Sequence, residues 1–397
     1  MPVPPSNHDI AVLLPGGGAR AAYQVGVLRG VARIVSRANV QPFRIICGTS
    51  AGAINAATLA VHADNFRRGV ARLLRWWDTL DVSMVYSADV TSVALHGMRW
   101  FASVLIGAGG PQRAASMLDN SPLRATLQRQ LNLERIDAHL RSGVLRALAI
   151  NATSYTTGHA VTFYQGVPGI APWRRTRRRG EPAVISIEHL LASTAIPFVF
   201  PAECVGGDYF ADGSVRQITP LSPPLHLGAR RILVVAVGQF SGQRPAGNPD
   251  QLPRYPSFAQ MAGHALSSIF LDNLGADLER LQRLNYALHL IPEERQLHHP
   301  EIAHIDAFVL SPSQDLGAMA VPYANRLPRG VRYLLRGLGS TAGSGANLLS
   351  YLSFERGYTR ALLDLGFRDA LARREEIEAF LAPDGPRFDP LFPPELA

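Results

Sequence analysis

The sequence predicts an α/β protein built on a mostly parallel sheet with helices covering both faces. Three observations carry that expectation. Short runs rich in Val, Ile and Leu recur along the chain, stretches of helical spacing alternate with them, and glycine-rich junctions lead from the first two runs into helices. Strands that are apolar on both sides need cover on both sides, and the helices between them supply it.

The elements follow in chain order. Ile10 to Pro15 reads as a buried strand, passing through Gly16, Gly17 and Gly18 into a helix that runs to about Arg37. Phe43 to Cys47 reads as the second strand, followed by a helix from Ala51 to about His62. A helical stretch spans about residues 64 to 142, and its apolar part, Val93 to Gly110, suits either a buried helix or a lipid-facing lid. Further strands are expected at Leu145 to Thr153, Ala160 to Gln165, Arg231 to Gly238 and Ile305 to Pro312. Ser241 to Ser257 is rich in Pro and Gly and reads as a loop or hinge. Helical patterns then continue to about Leu381, before a proline-rich tail. We expect a core over residues 8–240, with 241–397 completing the sheet near 305–311 and adding helices without forming a clearly separate domain.

Composition bounds the chemistry. The chain has 397 residues, 47% of them hydrophobic and 18% charged, which suits a globular protein with a sizeable core. All 39 basic residues are arginine. With no lysine there is no side-chain amine for Schiff-base catalysis and no P-loop lysine. No apolar run reaches the roughly 18 residues of a spanning helix, and the opening segment has no secretory pattern. Two cysteines, Cys47 and Cys204, make no disulfide framework and read as small buried hydrophobes. A cytoplasmic protein is expected, with peripheral contact at a membrane. The net charge of +8 favours anionic partners. Its densest cluster, WRRTRRR (Trp173 to Arg179), suits a solvated loop or anionic lipid headgroups better than nucleic acid.

GGGARA (Gly16 to Ala21) lays bare backbone amides at a helix N-terminus, where negative charge is favoured. Its tenant could be a dinucleotide diphosphate or a transient oxyanion. The dinucleotide fingerprint needs an acid about 20 residues further on. The window from Arg33 to Arg44 has no carboxylate, so the oxyanion is favoured.

The second strand runs into Gly48-Thr49-Ser50-Ala51-Gly52, which fits the nucleophile elbow G-x-S-x-G. A serine there needs a sharp turn to project its hydroxyl, and flanking glycines so that nothing collides. It also needs oxyanion donors, which Gly16 to Gly18 could supply if the first two strands lie side by side. For a base, the histidines after residue 200 (His226, His264, His289, His298, His299 and His304) sit in no glycine-rich turn. Asp212-Gly213, after an aromatic run, could aim a carboxylate, which can deprotonate serine directly if a dry pocket raises its basicity.

Together these segments resemble the patatin-like phospholipase family. GGGARA is similar to its G-G-G-x-[KR]-G oxyanion loop, GTSAG to its G-x-S-x-G, and DGS to its D-G-[AG]. ASTAIPFVFPA (Ala192 to Ala202) and TPLSPPLHLGARRILVV (Thr219 to Val235) are similar to the segments on either side of the family's aspartate. The likeness covers about residues 8 to 240, and SYLSFERGYTRALLDLGFRDA (Ser350 to Ala370) is like the C-terminal segments of bacterial relatives, with no chemistry assigned to it.

The resemblance implies a three-layer α/β/α sandwich with a C-terminal helical extension. It also implies a Ser–Asp dyad, with Ser50 as nucleophile and Asp212 as base. Gly16, Gly17, Gly18 and Arg20 would form the oxyanion loop, Gly48 and Gly52 the elbow, and Gly213 and Ser214 the Asp-Gly motif. Ala21 stands where glycine is usual, and Ser214 where glycine or alanine is usual. The implied activity is a serine lipid acyl hydrolase of phospholipase A or lysophospholipase type, acting on a lipid or acyl ester without metal or organic cofactor. An acyltransferase, a Ser-Asp-His esterase and a non-enzymatic lipid-binding protein stay open at this point, as do headgroup, acyl length and oligomeric state.

Overall fold

The structure, a computed structural model, describes residues 9–35, 40–87, 116, 118–239, 258–268, 273–291, 303–332, 346–383 and 385–388. The expected helix or lid at Val93 to Gly110, the loop at Ser241 to Ser257, His298, His299 and the end of the tail lie outside the described residues.

Ten described strands form one sheet: β1 Ile10–Leu14, β2 Ile45–Thr49, β3 Ala147–Ser154, β4 Ala160–Gly166, β5 Trp173–Arg175, β6 Arg178–Pro182, β7 Glu203–Val205, β8 Asp208–Asp212, β9 Arg231–Val235 and β10 Asp306–Leu310. Their order is β10-β9-β1-β2-β3-β4-β6-β5. From β10 to β3 every pairing is parallel. β4 then pairs antiparallel with β3, and β6 pairs parallel with β4.

Alternation along β1 shows why both faces are covered. Ile10, Val12 and Leu14 enter one apolar core and Ala11 and Leu13 the other. The first core holds the helices α1 (Ala22–Ile34), α2 (Ala51–Val61) and α3 (Phe66–Thr79). Next along the chain come α4 (Ser121–Gln130), α5 (Ile187–Thr194), α6 (Ala346–Leu352) and α7 (Arg356–Ala372), which pack into the same core. Leu274, Leu278 and Leu281, from the helix Asn273–His289, cover the opposite face. The fold is thus the α/β/α arrangement expected.

Local sequence explains the helices nearest the site. α2 is small-residue rich and buried along its whole length, so it lies close on the sheet. α3 is amphipathic: Phe66, Gly69, Val70, Leu73, Trp76 and Trp77 recur at helical spacing and are buried, and Asn65 caps its start by accepting the Arg68 amide at 3.0 Å. α7 lies along α1, with Gly26 and Gly366 at the crossing, where a Cβ on either would stand 2.2 Å from the partner's backbone.

Two expectations change. WRRTRRR is a β-hairpin, β5 and β6 joined at Thr176 and Arg177, at the edge of the sheet. Trp173 is buried between Tyr164 and His226, with ring centroids at 5.1 and 4.7 Å, while Arg174, Arg175 and Arg177 are exposed. Stacking on the indole lets a polar strand pair there. Cys204 is exposed, because β7 is a short strand paired only to β8, whereas Cys47 is buried. Among the described residues no helix is long and apolar enough to cross a membrane.

Candidate active site

Strand order places the site. β2 and β3 lie on one side of β1, and β9 and β10 on the other, so the order reverses at β1 and a crevice opens beyond the strands' C-terminal ends. The glycine loop follows β1, and Ser50 follows β2.

The β3 ladder brings Asp212 to the same place. β2 keeps its register with β3 as far as Thr49 opposite Asn151, then leaves the sheet at Ser50. β8 enters the vacated lane at the next rung, with Asp212 opposite Ala152. Ser50 and Asp212 therefore meet where one strand ends and the other arrives. The Asp212 backbone is pinned on both sides: its N–H donates to the Ala195 carbonyl at 2.8 Å, and its carbonyl accepts the Thr153 hydroxyl at 2.9 Å.

Ser50 has φ 54 and ψ −131, a strained conformation for a residue with a side chain. Gly52 makes that turn possible, since a Cβ there would stand 2.1 Å from the Leu14 carbonyl oxygen. The Ser50 amide donates to Ser193 Oγ at 2.9 Å, and that hydroxyl donates to the Asn151 carbonyl at 2.6 Å. Asn151 Nδ2 donates to Thr49 Oγ1, and Thr49 Oγ1 to Gln217 Oε1. Sequence reading missed Ser193, Asn151 and Gln217 as supports of the elbow. The segment around Ser193 was visible as a motif, but its hydrogen bonds depend on strands 42 and more residues away.

Asp212 is 1% exposed. Its Oδ1 accepts the Ser214 amide at 2.9 Å, and its Oδ2 has no hydrogen-bond partner among the described residues. Burial pushes its pKa up to about 6, while the Ser50 hydroxyl and the Ser214 amide and hydroxyl pull it down. No described arginine is paired with it, and no described histidine bonds to it or to Ser50.

In the glycine loop, Gly18 has φ +53, and a Cβ there would stand 2.2 Å from the carbonyl oxygen of Tyr351 on α6. Ala21, the departure noted in the sequence, has φ −64 and ψ −11, an ordinary helical conformation that alanine adopts without strain. The Arg20 side chain reaches α6. Its guanidinium donates to Ser350 Oγ at 2.8 Å and Asn347 Oδ1 at 3.0 Å, and lies 4.1 Å from the centre of the Tyr351 ring. Arg20 thus fastens the glycine loop to α6, far along the chain.

Gly18 and Ser50 open onto one cleft of about 490 Å³, counting its part open to solvent. Its walls are nearly all apolar: Trp76 and Trp77 from α3, Leu123 from α4, Phe200, Leu352 and Phe354. Gly16, Gly17 and Asp212 do not line it. Among the described residues no cluster of three or more His, Cys, Asp or Glu side chains is placed to hold a metal ion.

The sequence model of the family described as patatin-like phospholipase matches residues 12–225, more than half of the chain. Among solved structures, the chain is similar to VipD from Legionella pneumophila, at 11% identity and a TM-score of 0.30, covering 90% of this chain and 67% of that one. It is similar also to the type III effector protein ExoU, at 12% identity and a TM-score of 0.29, covering 91% of this chain and 54% of that one. The chain thus spans about two thirds of the first and just over half of the second. No curated protein sequence matches it.

Proposed function

The chain belongs to the patatin-like phospholipase family, and on that premise we propose that it is a serine lipid acyl hydrolase, of phospholipase A or lysophospholipase type, working through a Ser50–Asp212 dyad. One observation carries the reading: β8 continues the lane that β2 leaves, and so sets a buried carboxylate, with no cationic partner among the described residues, beside a serine held in a strained turn.

In this mechanism Ser50 Oγ attacks the fatty-acyl ester carbonyl and passes its proton to Asp212. The amides of the glycine loop around Gly17 and Gly18 hold the oxyanion. The tetrahedral intermediate collapses, Asp212 returns the proton to the departing lipid alcohol, and the acyl group stays on Ser50. Asp212 then takes a proton from water, which attacks the acyl-enzyme. The fatty acid leaves and Ser50 regains its proton. A carboxylate whose pKa is raised by burial is a better base than an exposed one, and lies near its working range at neutral pH. The apolar walls suit an acyl chain, and the exposed arginines of the β5–β6 hairpin suit anionic headgroups.

The test is labelling by a fluorophosphonate probe, together with hydrolysis of a phospholipid and lysophospholipid panel read by mass spectrometry. We expect the probe on Ser50 and free fatty acid among the products, with both lost in Ser50→Ala. Full activity in a folded Asp212→Asn protein would sink the dyad.

A further inference from the structure

The cleft that Ser50 opens onto shares a wall with a second cavity. The second, of about 230 Å³ counting its part open to solvent, is lined among the described residues by Thr58, Arg72, Trp76, Leu127, Gln130 and Leu131. Three helices contribute to both, each with a residue one turn from its counterpart. α2 gives Ile54 to the first cavity and Thr58 to the second, and α4 gives Leu123 and then Leu127. α3 gives Trp76 to both, with Arg72 one turn further along in the second. Among the described residues Trp76 is the single one that lines the two.

From this geometry we infer that Trp76 is the end wall of the acyl site: its indole sets the length of acyl chain accepted, and the second cavity is further length closed off by that side chain. The inference rests on the reading of the cleft as an acyl site. Its occupant is the methyl end of a fatty-acyl chain, because the first cavity is walled by Leu, Ile, Val and aromatic side chains, with Ser50 and Gly18 at its polar end. Trp76 is 6% exposed, and its indole N–H has no hydrogen-bond partner among the described residues. The wall is therefore held by packing alone, including the Trp77 ring at 5.9 Å, and a smaller apolar side chain strands no partner. One helical turn is 5.4 Å, or roughly four methylene lengths of an extended chain.

The test compares Trp76→Leu and Trp76→Phe with the unmodified protein on p-nitrophenyl esters of increasing acyl length. Each methylene moved from water to an apolar wall is worth about fourfold. For esters just beyond the unmodified protein's length limit, we expect kcat/KM relative to short esters to rise at least tenfold in Trp76→Leu, and less in Trp76→Phe. The added contacts lie far from the carbonyl, so the gain should fall in KM with kcat nearly unchanged. Leu127→Phe alone should leave the length profile as it was, and added to Trp76→Leu it should reverse the gain. An unchanged profile in both Trp76 variants, or an equal loss at all lengths, overturns the inference. Binding of a fatty-acid series, followed by tryptophan fluorescence, separates this from the proposed function. If no ester is cleaved but the length limit for binding moves with Trp76, the hydrolase reading fails and the wall stands. If neither moves, the wall falls.

Discussion

Asp9, just before β1, and Asp212, at the end of β8, adjoin or end strands of the same sheet and are 0% and 1% exposed. Asp9 is met by arginine on two sides, in an ion pair with Arg44 and with Arg146 at 3.6 Å. Asp212 is met by serines, and burial raises its pKa to about 6. Of the three described non-glycine residues at positive φ, two lie near the cleft: Ser50 at φ 54 beside Asp212, and Phe198 at φ 67 between Ile196 and Phe200, which line it; the third, Arg177 at φ 57, is in the β5–β6 hairpin turn. Burial alone does not give a carboxylate chemistry. Burial without a counter-charge does, at some cost in stability.

The sharpest way to break this comparison is to neutralise each aspartate in turn. Asp212→Asn should lower kcat by about 10⁴-fold, the scale seen when a member of a serine hydrolase's catalytic set is removed, measured on a soluble ester. Asp9→Asn should leave kcat of the folded protein unchanged. Stability should respond in the opposite sense. Asp9→Asn removes the carboxylate charge that faces the buried Arg146 and a partly exposed Arg44, so urea unfolding should show a loss of about 2–3 kcal/mol.

For Asp212 the sign follows from its raised pKa. Below pH 3.8 the carboxyl is neutral whether folded or unfolded, and it costs nothing. Between there and about pH 6 the folded state holds a proton that the unfolded state has released, so stability falls as pH rises and stays lower above pH 6. Asp212→Asn removes that penalty. It should make the protein more stable at pH 8 by up to about 3 kcal/mol, with the difference gone below about pH 4. Equal stability at pH 8 would mean that the site stores no electrostatic strain.

Smaller effects refine the picture. Asp212 must be ionised to accept the Ser50 proton, so kcat/KM should fall tenfold per pH unit below about pH 6. Ser214→Gly removes a hydroxyl that favours the carboxylate and should move that midpoint upward, costing a few-fold in rate at pH 6. The least effect is expected at Phe198, which is 73% exposed in a left-handed conformation that costs a side chain roughly 1–2 kcal/mol. Phe198→Gly should raise stability by about 0.5–1 kcal/mol in thermal unfolding, since glycine's extra freedom in the unfolded chain offsets part of the relief.

The parallel half of the sheet is legible in the sequence, because strands buried on both faces must be continuous apolar runs and glycine must stand where loops meet helix ends. Ser50 and Asp212 are legible for the same reason: each is flagged by a glycine that tight packing demands. What pairs across the sheet is not written locally. The lane taken by β8 depends on where β2 leaves β3. The arginine hairpin has no apolar period and is held by an indole stacked beneath it. Arg20 was visible as a basic residue of the glycine loop, but its partners on α6 lie 327 to 331 residues away. Trp76 lies in a stretch that the sequence marks only as helical, and its place between two cavities is a property of three helices together.

The bond from Arg20 to Ser350 spans 330 residues. A ribosome adding roughly 5–20 residues per second needs on the order of 20–60 s to cover that distance. Throughout that interval the emerging chain carries its glycine loop and elbow without α6 against Gly18, and without Leu352 and Phe354 to wall the cleft. The order of synthesis itself therefore works as a timer: a chain cut short between β8 and α6 by a nonsense codon carries Ser50 and Asp212 but not the finished cleft.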